Sequence, residues 1–146
     1  MQTRTHYRCL IVVGAMAVAG CGGSVARITG TVSHNGEPVR AADVVVESTA
    51  DAAQQFFGVT TDDGSLYVGY RDKPGLAPGA WKIRVTQYTL RNGQPLPGGE
   101  AGQAIRTSGH VVAKTYLFEQ ELTGGQNTLE LKLEAAASTA DASTAQ

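Results

Sequence analysis

Alternation of apolar and polar side chains dominates the chain between residues 26 and 134. It is clearest in residues 81–86, where Trp81, Ile83 and Val85 alternate with polar side chains. Successive side chains of a strand point to opposite faces of a sheet, so this period of two predicts a half-buried strand. The same reasoning predicts six further strands, at residues 27–33, 43–48, 57–61, 65–70, 116–122 and 128–134.

Turn-forming residues separate these predicted strands. Asn-Gly at 35–36 supplies the positive φ angles that a tight reversal needs, and Asp-Asp-Gly at 62–64 is typical of a turn. In the final strand, Leu129, Leu131 and Leu133 are predicted to face inward. Seven short strands without a convincing helix predict an all-β fold, a seven-stranded antiparallel β-sandwich in one domain, residues 26–134.

Two segments lack the alternation. Residues 89–109 are rich in Gly, Pro and Asn-Gly, which predicts a long loop, and loops of this length tend to be functional or mobile. Loops on a rigid scaffold carry most recognition, so Arg91, Glu100 and Arg106 are candidate binding residues. An exposed edge strand is an alternative contact surface, through addition of a partner strand. Residues 135–146 contain only Ala, Ser, Thr, Asp and Gln and are predicted to be a disordered tail.

The first 20 residues have the pattern of a secretory signal peptide. Arg4 and Arg8 precede an apolar run, residues 9–20, that ends in small residues. The alternative is an uncleaved transmembrane anchor. A membrane-spanning helix needs about 20 apolar residues, and this run is too short to supply them, so the alternative is disfavoured.

The end of that run, Val18-Ala19-Gly20-Cys21, resembles the lipobox of bacterial lipoproteins. In that family the cysteine is diacylated and becomes the first residue, so the resemblance implies lipidation of Cys21 and a short tether, residues 21–25. By the rule known for enteric bacteria, a residue other than Asp after the cysteine favours the outer membrane over the inner one.

Ordinary signal cleavage, with Cys21 left as a free thiol, is the alternative. The chain has two cysteines, and Cys9 lies in the predicted signal peptide. The processed chain would therefore carry one unpaired cysteine into an oxidising compartment. Lipidation removes that anomaly, because the sulfur is then a thioether.

The net charge of the chain limits the classes of partner that it is expected to bind. Of the 12 basic and 13 acidic residues, only Arg4 and Arg8 fall in the predicted signal peptide, which leaves a net charge near −3 after cleavage. Nucleic-acid binding requires clustered Lys and Arg, so nucleic acid is not expected as a partner. Membrane attachment is expected to rest on the acyl chains of Cys21.

A wider resemblance rests on four motifs, which are Gly-Thr-Val at 30–32, Asn-Gly-Glu-Pro-Val at 35–39, Thr-Asp-Asp-Gly at 61–64 and Gly-Leu-Ala-Pro-Gly-Ala-Trp-Lys-Ile at 75–83. On these residues the chain, over 26–134, resembles the carboxypeptidase regulatory-like domain, and especially the small single-domain lipoproteins of planctomycete-like bacteria. The resemblance implies a sandwich of transthyretin (prealbumin) type. This sequence has Trp81 where that family more often has Tyr, and Ser65-Leu66 where it more often has a basic residue and Phe.

Candidate catalytic chemistry is sparse. A zinc site needs several His and acidic ligands in one cleft, and His34 and His110 are the histidines after the predicted signal peptide. No cofactor, metal or catalytic residue is therefore predicted. Three acids near two turns, Asp62, Asp63 and Asp72, leave calcium binding as an alternative, although their spacing is not that of a calcium loop.

The expected function is that of a non-enzymatic, lipid-anchored module of the bacterial cell envelope. Its expected partners are the membrane, through Cys21, and an envelope protein or polysaccharide. An enzyme of transthyretin-like fold, such as a hydroxyisourate hydrolase, is the alternative. Those enzymes resemble transthyretin but end in Tyr-Arg-Gly-Ser, whereas this sequence ends in Ala-Ser-Thr-Ala-Gln.

Overall fold

The computed structural model describes residues 25–68 and 75–139. The predicted signal peptide, Cys21 and nearly all of the predicted tether lie outside these residues, as do Asp72 and the tail beyond 139. The strands are β1 Ala26–His34, β2 Glu37–Pro38, β3 Asp43–Ser48, β4 Gln55–Thr60, β5 Ser65–Val68, β6 Gly79–Leu90, β7 Val111–Leu122, β8 Gly125–Lys132 and β9 Ala137–Thr139. One α-helix, α1 Gly99–Thr107, lies between β6 and β7, and a single 3-10 turn, Leu133–Ala135, follows β8.

The nine strands form one curled sheet. Hydrogen bonds join them in the order β2-β1-β5-β4-β3-β6-β7-β9, and β8, which is outside this path, pairs with β1. Every pairing is antiparallel except that of β1 with β8, which is parallel over eight residue pairs. The predicted all-β fold is confirmed, whereas the nine described strands exceed the predicted seven and the parallel β1–β8 pair departs from the predicted antiparallel pairing.

The core lies on the concave side of the curled sheet. Strand β6 contributes Trp81, Ile83 and Val85, all at most 2% exposed, as their alternation predicted. The indole N–H of Trp81 donates a hydrogen bond to the carbonyl of Ala77 at 3.0 Å. Other buried apolar residues of the core include Ala26, Ile28, Val32, Val44, Val46, Leu66, Val68, Leu76, Tyr116, Leu122, Leu131 and Leu133. We call the opposite side of the sheet the outer face.

The register of the strands defines two ends of the sheet. Because β1 and β8 are parallel, Ala26 and Gly125 start together at what we call the N-terminal end. At the other end, the hairpin end, β1 turns into β2 through Asn35 and Gly36, both with positive φ as the Asn-Gly pair predicted. The β6 and β7 partners Leu90 and Val111 also lie at the hairpin end.

The predicted loop at 89–109 is wrong for most of its length. Strand β6 continues to Leu90, β7 begins at Val111, and residues 99–107 form α1. The predicted disorder of residues 135–146 is likewise wrong at its start, because Ala137–Thr139 pairs with β7. Both elements depend on contacts with distant strands, which give local order to segments with little apolar alternation. Among the described residues, no helix is long and apolar enough to cross a bilayer.

Candidate functional site

The hairpin end of the outer face carries a polar cluster that attaches α1 to the sheet. The guanidinium of Arg106 donates from Nη2 to both carboxylate oxygens of Asp43, at 2.8 and 3.0 Å. Its Nη1 donates to the carbonyl oxygen of Ala41 at 3.1 Å. The same guanidinium carbon lies 4.8 Å from the ring centre of Tyr88. This combination of ion pair and cation–π contact holds the last turn of α1.

Tyr88 completes the cluster. Its hydroxyl donates to Asp43 Oδ2 at 2.7 Å. Burial raises the pKa of Tyr88 above its usual value, and the hydrogen bond to Asp43 and the charge of that carboxylate raise it further, while Arg106 opposes them. Tyr88 is therefore a neutral hydrogen-bond donor at physiological pH. Each polar group of the cluster has a partner inside it, which is the arrangement of a structural cross-link.

The start of α1 is held by a second carboxylate. Asp62 Oδ1 accepts a hydrogen bond from the backbone N–H of Gly99 at 3.3 Å. A carboxylate at this position also complements the positive end of the helix dipole. The segment before the helix is anchored by Leu96, which is almost fully buried. Together with Arg106 at the other end, these contacts fix α1 against the sheet.

A small cleft opens between the β1–β2 hairpin and the end of β6. Its volume is about 230 Å³, and its lining includes His34, Glu37, Arg40, Gln87, Tyr88 and Leu96. The ring of His34 meets that of Tyr116 edge-on at 6.0 Å. Tyr116 in turn donates to Gln87 Oε1 at 3.4 Å. Ligand pockets usually measure about 300–1,000 Å³, so this cleft suits one side chain or a small polar group.

A second, wider cleft lies between the start of α1 and the β4–β5 turn. It measures about 520 Å³, and Asp62, Glu100 and Gln103 are among its lining residues. With two carboxylates and an amide on its rim, the cleft would favour a basic or hydroxyl-rich group. It is open to solvent, which suits a side chain of a larger partner better than an enclosed small molecule.

The three predicted binding residues have different environments. Arg91 is exposed in the turn after β6, and Glu100 is exposed on α1 at the rim of the wider cleft. Arg106 is engaged by Asp43. Arg91 and Glu100 are therefore exposed, whereas Arg106 holds α1 to the sheet, and a binding role for the three residues stays a prediction.

The acidic turn at 62–64 is occupied by its own hydrogen bonds. Asp63 Oδ1 accepts from the hydroxyl of Thr61 and from the backbone N–H of Ser65 at 3.0 Å. These hydrogen bonds lower the pKa of Asp63, and the bond from Thr61 has the largest effect. In the part of the chain that the structure describes, no group of three or more His, Cys, Asp or Glu residues could hold a metal ion. His110 is exposed, and Asp72 lies outside the described residues.

Sequence reasoning missed two features. The first feature is the contact of Arg106 with Asp43 on β3 and with Tyr88 on β6. Arg106 is 63 positions from Asp43 and 18 positions from Tyr88 in the sequence, so no local pattern indicated the contact. The second feature is an exposed apolar group on β4 and β5, to which Phe57 belongs. Its signal was present, since adjacent Phe56 and Phe57 must point to opposite faces of a strand.

Comparisons of the chain with protein-family models, with curated proteins and with solved structures find no match.

Proposed function

We propose that this protein is a lipid-anchored lipoprotein of the bacterial cell envelope, and that its β-domain is a non-catalytic module for binding or structural contact. The observation that carries the proposal is the start of β1 at Ala26, only five residues after Cys21. A chain extends at most about 3.5 Å per residue, so the four links from Cys21 to Val25 reach about 14 Å. An acylated Cys21 would hold the N-terminal end of the sheet against the membrane.

The polar groups of the hairpin end support a binding role over catalysis. Arg106, Asp43 and Tyr88 are committed to one another, and Asp63 is committed to its turn. These contacts hold α1 and the β4–β5 turn in place, so the groups have a structural explanation that requires no substrate. The exposed residues Arg91 and Glu100 are then the first candidates for contact with an envelope protein or polysaccharide.

We further propose that the curled sheet is a sandwich of transthyretin type. Residues of the sequence motifs have structural roles that fit the resemblance. At Gly30 the backbone of β8 leaves no room for a Cβ atom, and the side-chain amide of Asn127 donates to the carbonyls of Thr123, before β8, and Gly125, at its start. An experimental structure tests this, since two packed sheets with the strand order of transthyretin are expected, and a different strand order would contradict it.

Mass spectrometry of the N-terminus tests the lipid anchor. We would express the full chain in a diderm bacterium, isolate it from the envelope and analyse its N-terminal peptide. The expected peptide begins at Cys21 and carries a diacylglycerol, and the protein fractionates with the outer membrane. The matched control, Cys21→Ser, is expected to lose the acyl groups and to leave the outer-membrane fraction. An unacylated N-terminus in the unsubstituted protein would overturn the proposal.

Partner capture tests the binding role. The intact lipoprotein is crosslinked in its own envelope, alongside the exposed-residue variants Arg91→Glu and Glu100→Lys and the control Lys82→Glu on β6. A partner of the hairpin end is expected to be lost from the first two variants and kept by the control. Equal capture by all of them would exclude Arg91 and Glu100 as contact residues. Turnover of a substrate that a single substitution abolishes would overturn the non-catalytic role.

A further inference from the structure

Three large apolar side chains are exposed side by side on the outer face. Phe57, Val59 and Tyr67 are 64%, 43% and 62% exposed. Val59 and Tyr67 are cross-strand partners on β4 and β5, and Phe57 lies two residues from Val59, on the same face of β4. We call these three residues the apolar stripe. A contiguous group of this kind on a soluble domain marks an interaction surface.

The packing of the domain does not require the stripe. Phe56, the neighbour of Phe57, already packs against the core and meets Trp81 edge-on at 6.0 Å. Helix α1 covers the outer face around Asp43, the β3 partner of Val59, and that cover ends before the stripe. The exposed rings of Phe57 and Tyr67 therefore contribute little to folding. We look for their role in contact with a partner outside the described residues.

Register brings the stripe close to the start of the domain. Tyr67 is the β5 partner of Thr29, four residues after Val25. Phe57 lies two residues before Val59 on β4, nearer the N-terminal end of the sheet and two strands away from β1. With about 3.3 Å per residue along a strand and 4.8 Å between strands, each stripe residue lies within roughly 17 Å of Val25. The four-residue reach from Cys21 is of the same size.

Charge on this side of the sheet suits a lipid surface. Arg27 is exposed on β1, two residues before Thr29, the partner of Tyr67. On the other side of the stripe, Phe57 pairs with Val45, which pairs with Arg84 of β6. Arg84 donates to Glu47 at 3.3 Å, so Arg27 provides the net positive charge beside the stripe. Aromatic side chains flanked by arginine are typical of the boundary between lipid headgroups and acyl chains.

We propose that the apolar stripe docks on the membrane in which Cys21 is anchored. The proposal rests on the proposed function, because an acylated Cys21 holds the stripe within reach of that surface. Docking buries Phe57, Val59 and Tyr67 at the headgroup boundary and sets Arg27 among the lipid phosphates. The domain then contacts the membrane through the part of its outer face near the N-terminal end, and its tilt relative to the membrane is fixed. Without docking, it would move freely on its tether.

Two valines provide a matched pair of probes. Val59 is in the stripe and is 43% exposed, whereas Val112 lies at the hairpin end of β7 and is 44% exposed. We would make Val59→Trp and Val112→Trp. The unsubstituted protein, whose single tryptophan is the buried Trp81, gives the background fluorescence to subtract. Each protein is placed in phosphatidylcholine–phosphatidylglycerol vesicles that contain brominated lipid, and tryptophan quenching is measured.

Two forms of the protein separate this proposal from the lipid anchor. One is the full chain processed and purified from a bacterial envelope. The other is the chain from Cys21 onward, coupled through its single cysteine to a maleimide lipid, after circular dichroism has established that it folds. If natural acylation is absent but the coupled form is quenched at position 59, docking is supported and the proposed anchor fails.

Quenching decides the outcome. Interfacial side chains lie about 5–10 Å into the headgroup–acyl boundary, so we expect at least about twofold stronger quenching at position 59 than at position 112. Equal quenching in acylated, vesicle-bound protein would overturn docking and leave the anchor intact. Protection of the position-59 tryptophan from acrylamide in detergent, together with a dimer in sedimentation, would also overturn it, because a second copy would then cover the stripe.

Discussion

At the scale of single residues, Thr60 is the most connected buried polar side chain described in the fold. It is only 4% exposed, and its hydroxyl donates to the carbonyl of Val39 at 2.7 Å. The same oxygen accepts from the backbone N–H of Ala42 at 2.9 Å. One hydroxyl therefore satisfies two backbone groups of the β2–β3 connection that β2 and β3 cannot satisfy themselves. This explains a polar residue at an inward position of β4.

Replacement of Thr60 with valine keeps the shape of the side chain and removes both bonds. Leaving buried donors or acceptors unpaired costs about 1–3 kcal/mol each, so Thr60→Val is expected to lower the free energy of unfolding by at least about 1 kcal/mol. Urea unfolding followed by circular dichroism measures it. The control, Thr31→Val at an exposed position of β1, is expected to stay within about 0.5 kcal/mol. Equal effects of both substitutions would contradict the role of Thr60.

Asp63 gives a pH dependence with a definite sign. Hydrogen bonds from Thr61 and Ser65 lower its folded-state pKa below the ordinary value of 3.8. Its carboxylate therefore stabilises the fold above that pH, and the contribution is lost as the pH falls through the lowered pKa. Asp63→Asn is expected to reduce the urea midpoint at pH 7 and to differ less from the unsubstituted protein near pH 2. A control without a titratable group, Thr31→Val at an exposed position of β1, should show the same difference at both pH values. A constant deficit of Asp63→Asn at both pH values would contradict the assignment.

At the scale of secondary-structure elements, α1 depends on tertiary contacts. It has nine residues, two of them glycine, and isolated helices this short are marginal in water. Its attachment comes from Asp62 at its start and from Asp43 and Tyr88 near its end. The helix is therefore expected to open locally before the sheet unfolds.

Arg106→Ala tests this attachment. The substitution removes the bonds to Asp43 and Ala41 and the contact with Tyr88. A hydrogen bond to a charged group contributes about 1.5–3 kcal/mol, so amide exchange within α1 is expected to accelerate about tenfold or more. Exchange in β3 and β6 should change much less.

Arg91→Ala is the matched control for Arg106→Ala, since Arg91 is exposed in the turn that leads toward the helix. It is expected to leave exchange in α1 unchanged. If both arginine variants accelerate exchange equally, Arg106 does not have the special role that its contacts indicate. If Arg106→Ala unfolds the whole sheet, α1 is part of the global folding unit and the expectation of local opening is wrong.

The elements that sequence reasoning predicted are those whose signal is local. Each predicted strand has a counterpart among the described residues, because alternation reports burial of one face and needs no knowledge of the partner strand. Helix α1 was missed because its glycines hide the period of 3.6, and because Arg106 appears in the sequence as a free cation. Strand β9 was missed because its order comes from pairing with β7.

At the scale of the whole molecule, β1 organises the sheet. It pairs with β5 on one side and β8 on the other, and its end forms the hairpin with β2. The first and last long strands of the domain are therefore hydrogen-bonded to each other. This pairing could not be predicted from the sequence, since alternation in residues 128–134 gives a face but no direction. The parallel register depends on the path of the whole chain.

The β1–β8 pair includes a close approach at Gly30. A Cβ atom at this position would lie 2.0 Å from the carbonyl oxygen of Leu129, far inside van der Waals contact. Gly30→Ala should therefore push β8 away from β1 and loosen the packing of Leu131. Overpacking that forces backbone shifts costs about 1–3 kcal/mol, so the urea midpoint is expected to fall while circular dichroism and Trp81 fluorescence still change together. Thr31→Ala on exposed β1 controls for a generic substitution in this strand. An unchanged midpoint for Gly30→Ala would mean that β8 can move without cost, and that the close approach at Gly30 does not constrain the β1–β8 pair.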